Sequence, residues 1–168
     1  MHKLVAFVIA IALLIPVSAA AQKNELLGSD ALGKILPASV FMDGENVPTQ
    51  KRNAAVLKFA DGKYLVASLV DTSGYSSQYQ EKYIGTLITQ VPVMLESLEL
   101  KPGQYGFGRV KSGEGEMFAI YDVGGNKVGD VTATKDEKIK PVRPLQIMAE
   151  GDGARLVLGP FAVKVARK

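Results

Sequence analysis

Between Ala54 and Val70 two apolar runs, residues 54–60 and 63–70, are separated only by Asp61-Gly62. A link that short turns the chain back on itself, so this segment dictates an antiparallel hairpin and with it a sheet. Asp-Gly suits the type I′ turn, whose two central residues both take positive φ. A two-residue loop sets Ala60 opposite Lys63, Phe59 opposite Tyr64 and Leu57 opposite Val66, with Lys58–Leu65 and Val56–Ala67 on the other face. Both faces are largely apolar away from the turn, which predicts a hairpin at the centre of the fold.

The same two-residue period continues after Pro37, with turn signals every 8–15 residues. Tyr83, Leu87, Val91, Val93 and Leu95 hold one parity, and Pro92, which removes a ladder donor, marks an edge or a bend. After Lys101-Pro102-Gly103, Tyr105 and Phe107 share one face. Gly106 and Gly108 leave the other bare, either for a closely packed backbone or for a kink. Gly124-Gly125 reads as a second two-residue turn, with Asp122 opposite Lys127. Residues 145–149, the turn Gly151-Asp152-Gly153, residues 155–158 and the alternating Phe161, Val163 and Val165 close the chain. Nine or ten short strands exceed the usual size of one open antiparallel sheet. An all-β fold follows, with an antiparallel β-sandwich expected and a closed β-barrel as the alternative. Ahead of it, Leu27, Ala31, Leu32, Ile35 and Leu36 recur at helical spacing, giving a short N-terminal helix that Pro37 ends. Residues 22–38 are therefore expected to form a helical segment and residues 39–168 the β domain.

The first 21 residues have the order of a cleavable secretory signal peptide. Met1-His2-Lys3 is the charged region, Leu4 to Ile15 are twelve unbroken apolar residues, and Ser18-Ala19-Ala20-Ala21 supplies the small-residue site, with cleavage expected after Ala21. A membrane-spanning helix needs about 20 apolar residues. This run is shorter, and Pro16 interrupts it, so no stable membrane span is expected after cleavage and the protein is placed in the periplasm or outside the cell. No cysteine is available for a lipid anchor. The 147 residues that remain suit one domain, and their 19 Lys plus Arg against 17 Asp plus Glu leave no footprint for nucleic acid. The basic clusters at Lys135, Lys138, Lys140 and Arg143 and at Lys164, Arg167 and Lys168 read as a solvated face and tail.

Cleavage also removes His2, the sole histidine, so the mature domain has neither histidine nor cysteine. Ser-His-Asp and Cys-His catalysis, structural zinc and histidine-based metal sites then lack their residues, and no cofactor is expected. Carboxylate chemistry survives. Asp71, Glu81, Glu96 and Glu99 border apolar strands, but no spacing pairs them across a cleft as glycoside hydrolysis requires. Asp43-Gly44-Glu45-Asn46 and Glu150-Gly151-Asp152-Gly153 are acidic turns without the ligand series of a calcium loop. Gly106-x-Gly108 lacks the third glycine and the following helix of a phosphate cradle.

The segment from Val70 to Tyr83 departs from sheet and turn composition. Tyr75, Tyr79 and Tyr83 stand at i, i+4 and i+8, one stripe of a helix that Asp71 or Ser73 would cap. One reading is an aromatic platform for a sugar or peptide, with Asp71, Ser73, Tyr75, Tyr79 and Tyr83 as the ligand-binding residues. The other is a short helix covering an open end of the β domain, since such stripes normally face a core.

Residues 29–41, 69–77, 80–83 and 100–107 resemble segments of an uncharacterised group of small exported bacterial β-rich proteins. The resemblance covers most of the mature chain and implies a bacterial envelope protein. Its motifs are turns and strand starts, and it transfers no functional residue. The expectation is an exported, non-catalytic binding or accessory protein with a protein or glycan partner in the envelope. The competing classes are a carboxylate-based hydrolase of envelope glycans and a structural partner docking through an edge strand near Pro92.

Overall fold

The computed structural model describes residues 23–112 and 115–168; the expected signal peptide lies outside the described residues. Among the described residues, thirteen strands and two short helices follow one another. They are β1 (Glu25–Leu26), α1 (Ser29–Ile35), β2 (Ser39–Met42), β3 (Glu45–Lys58), β4 (Tyr64–Val70), α2 (Ser77–Lys82), β5 (Gly85–Thr89), β6 (Val93–Leu95), β7 (Leu98–Leu100), β8 (Gly103–Ser112), β9 (Gly115–Tyr121), β10 (Lys127–Lys135), β11 (Gln146–Glu150), β12 (Gly153–Leu158) and β13 (Phe161–Arg167). The fold is all-β and antiparallel. Its strands run in the order β1-β3-β4-β5-β8-β9-β10-β13-β12-β11, with β2 added to β3 and the β6–β7 hairpin to β13. The two ends of this path come together: β3 and β11 approach to within 8 Å between Cα atoms, and Asn24 Nδ2 donates to the Asp152 carbonyl at 2.8 Å. The sheet thus curls almost shut, closer to the barrel than to a pair of separate sheets.

Alternation along the strands fills the interior. Leu57, Leu65, Leu87, Phe107, Phe118, Val131, Leu156 and Val163, one from each of eight strands, are all at most 4% exposed and belong to one cluster. The void left inside is about 10 Å³, room for a single water at most. The barrel is a packed core without an internal ligand chamber. Outside it, α1 lays Leu32 and Leu36 over Val56 and Val66, so the first hairpin is apolar on both faces because both are covered. The helix stops where Leu36 turns extended ahead of Pro37 (ψ 121°).

The central hairpin forms, in a different register from the one expected. Leu57 pairs with Leu65 and Val56 with Val66, and Phe59 N donates to the Lys63 carbonyl at 2.7 Å. The loop is three residues long: Gly62 N donates to Phe59 O and Gly62 takes φ +81°, a type I turn closed by a bulge glycine. This register puts Leu57, Phe59, Leu65 and Ala67 on the core side together, which a two-residue loop would not do. The Gly124-Gly125 turn has the same design. Asp122 N donates to Asn126 O, Gly125 N to Asp122 O, and Gly125 has φ +82°, so Lys127 pairs with Tyr121 and not with Asp122. The two-residue turn with positive φ at both positions occurs at Asp43-Gly44 (φ 52° and 85°), between Met42 and Glu45. Pro92 marks a bend: the chain leaves β5 and crosses to β6, which is flanked by β13 and β7.

Candidate functional site

Asp71, Ser73, Tyr75, Tyr79 and Tyr83 are brought together, in an arrangement that clamps the fold. The N-cap of α2 is Ser76, whose Oγ accepts from Tyr79 N at 3.3 Å. Asp71 and Ser73 cap nothing there. Asp71 Oδ1 accepts from the Ser73 amide (3.1 Å) and hydroxyl (2.7 Å), and the hydroxyl contact first, then the amide, holds its carboxyl below the ordinary range. The helix covers Ser77–Lys82, so Tyr75 precedes it and Tyr83 follows it. The rings nevertheless stack in series, Tyr75 on Tyr79 at 4.9 Å, Tyr79 on Tyr83 at 4.7 Å, and Tyr83 edge-on to Tyr121 at 5.4 Å.

The hydroxyls of Tyr75, Tyr79 and Tyr83 are each committed. Tyr75 donates to Asn46 O (2.9 Å), Tyr79 to Met42 O (2.7 Å) and Tyr83 to Asp43 Oδ2 (3.3 Å). Lys82 Nζ bridges Asp43 Oδ2 (2.7 Å) and Gly125 O (2.9 Å). The rings pack on Val40, Met42 and Val47. The segment therefore fastens the β2–β3 hairpin across the barrel wall. Close packing also explains the bare face of β8: a Cβ at Gly106 would lie 2.6 Å from the Tyr83 ring, and one at Gly108 would collide with the Lys82 carbonyl.

The candidate carboxylates do not converge as a catalytic pair. Glu81 is exposed on α2, while Glu96 and Glu99 sit on the β6–β7 hairpin. Glu96 Oε1 accepts from Lys164 N, and Glu99 pairs with Lys168 at 2.6 Å. Among the described residues no group of three His, Cys, Asp or Glu side chains is placed to hold a metal ion.

The feature with the geometry of a binding site is the seam where the sheet fails to close. From Thr49 to Ala54 β3 advances five residues while its partner β4 advances two, from Val70 to Ser68, so three extra residues bulge outward. A polar clip holds the bulge: Gln50 Nε2 donates to Val70 O (2.9 Å) and Asn53 Nδ2 to Gln50 Oε1 (2.7 Å). Such bulges break a ladder and re-aim side chains. Here Lys51 and Arg52 are thrust to the surface beside β11, whose outer edge has no strand partner. A groove of about 1010 Å³ results, with α1 and β3 on one side and residues 141–149 on the other. Its floor includes Leu32, Val56, Leu145 and Ile147, all at most 7% exposed. Its rim carries Lys51, Arg52 and Arg143, no acid contributes to the lining, and none of the three cations forms an ion pair among the described residues.

Arg143 belongs to a cluster that reads in sequence as solvated, and Lys51-Arg52 has a signal only as a charged interruption of an otherwise strand-like run. What unites them is the bulge and the near-closure of the sheet. Among the described residues no helix is long and apolar enough to cross a membrane. No protein-family model, curated protein or solved structure matches the chain.

Proposed function

We propose that the protein is an exported, non-catalytic binding or accessory protein of the bacterial envelope, and that it takes its ligand in the seam between β3 and β11. The observation that carries this reading is the groove itself. The barrel interior is filled and the tyrosine hydroxyls are engaged, whereas the seam joins an apolar floor to a few polar groups, the usual composition of a ligand site. Export rests on the charged, apolar and small-residue order of residues 1–21.

Both parts are open to measurement. Purified protein titrated with the neutral fluorophore N-phenyl-1-naphthylamine should show saturable, one-to-one enhancement. A tryptophan filling the groove from either wall, Ala54→Trp or Met148→Trp, should abolish it. Enhancement that never saturates, or that both tryptophan variants retain, removes the groove from the reading. Expressed full-length in a bacterial host, the protein should leave the cytoplasm with residue 22 as its new N-terminus; retention in the cytoplasm at full length removes the envelope.

A further inference from the structure

We infer that the seam takes a single anionic amphiphile, one alkyl chain on the apolar floor and a carboxylate or phosphate headgroup among Lys51, Arg52 and Arg143. The inference rests on the binding reading above and adds the chemistry of the ligand.

Charge is the first observation. Several cations elsewhere on the surface sit against an acid, Arg155 with Asp136 at 2.7 Å, Arg167 with Asp61 at 2.7 Å and Lys82 with Asp43 at 2.7 Å. The groove instead gathers three cations around one concavity, with no carboxylate among its lining residues. Three like charges around one concavity repel one another, and a bound anion relieves the repulsion while its own charge is screened least against low-dielectric walls.

Shape is the second. The unpaired edge of β11 invites an added peptide strand, but a strand lying between two others needs two ladder spacings of about 4.8 Å each. Where β3 and β11 come within 8 Å of each other, the gap is too narrow for it. An alkyl chain carries no flanking hydrogen-bond ladder and needs no such spacing. The third observation is the floor. Leu32 and Val56 beneath α1, Leu145 and Ile147 on the opposite wall, and the partly buried Leu27 and Met148 make the lining largely apolar. Packed residues close its inner side, because the barrel core leaves no chamber beyond it. A single alkyl chain can lie against an apolar lining of this kind.

The test is competition against the bound fluorophore with four twelve-carbon probes below their micelle concentrations: dodecanoate, dodecyl phosphate, dodecanol and dodecyltrimethylammonium. The two anions should bind about tenfold or more tightly than dodecanol, and the ammonium most weakly. The triple variant Lys51→Gln, Arg52→Gln, Arg143→Gln should bring the anions down to the level of dodecanol without changing dodecanol itself, and raised salt should do the same to the native protein. A preference for dodecanoate or for dodecyl phosphate identifies the headgroup. Equal binding of all four probes, or anion binding untouched by the triple variant, overturns the inference while the groove stands. Fluorophore binding that fails altogether overturns both. Co-sedimentation with anionic vesicles in preference to the soluble anions overturns the single-molecule ligand in favour of a membrane surface.

Discussion

Gly108 sits on the outer face of β8 where the last carbonyl of α2 presses against the sheet, and no side chain can yield there because the obstructing atoms are backbone. Gly108→Ala must lift the end of α2, and with Lys82 and Tyr83 would move the contacts to Asp43 that pin the β2–β3 hairpin. Overpacking of this kind costs about 1–3 kcal/mol. The urea midpoint should fall accordingly, whereas Gly74→Ala, where an added Cβ meets nothing, should leave it close to native. Equal midpoints for the two variants would refute the contact. The bare glycine face at residues 106 and 108 was legible in the sequence as a close approach or a kink, because glycine inside a strand has few other uses. Which backbone fills it was not, because Lys82 is 26 residues away and only the folded sheet brings the two together.

At the scale of elements, the two hairpins show what turn chemistry determines and what it leaves open. Asp61-Gly62 and Gly124-Gly125 both signal a reversal, and both reversals occur. Loop length, however, follows from the strands: a third residue brings Leu57 and Leu65 to the same face, and burial of that face outweighs the local preference for a two-residue turn. The α2 segment behaves similarly, for the tyrosine spacing gave the stack but Ser76 rather than Asp71 or Ser73 starts the helix. Three groups of this segment titrate above their ordinary values. Burial, then the neighbouring Tyr83 and Tyr75, push the Tyr79 phenol well up, and burial is also the main cause for Tyr83. For Lys82, burial lowers the value, but the hydrogen bonds to Asp43 and Tyr83 more than reverse it. Groups raised in the folded state contribute stability that is complete below their unfolded values, about 10 for these side chains, and is lost as pH rises through the folded ones. The melting temperature should therefore decline above about pH 10, and Tyr79→Phe should flatten that decline, while at neutral pH it loses about 1 kcal/mol with the bond to Met42 O. An unchanged alkaline slope in Tyr79→Phe would show that this phenol does not carry the linkage.

For the whole molecule, an all-β antiparallel fold was legible because alternation and turn spacing are local, repeated signals. Near-closure was not, since it depends on residues more than 90 positions apart, the bulge around Lys51-Arg52 and the strand Gln146–Glu150, meeting without pairing. That incomplete meeting makes the stability of the sheet uneven. Strands β4, β5, β8 and β9 have partners on both sides, whereas β11 is held by β12 alone. Local opening takes from almost nothing up to the global unfolding free energy, depending on how many such contacts must break. In native-state hydrogen exchange, the amides of residues 65–69 should exchange only through global unfolding. Those of residues 146–150 that face the seam should exchange far faster, through a local route insensitive to denaturant. Saturating ligand should slow the amides of residues 146–150 and 50–56 selectively, because a bound chain covers both walls while leaving the far side of the barrel as it was. If residues 146–150 prove as protected as residues 65–69 in the free protein, the seam is shut in solution and the groove with it. If they are exposed but the ligand slows every strand equally, binding acts through overall stabilisation from some other place on the surface.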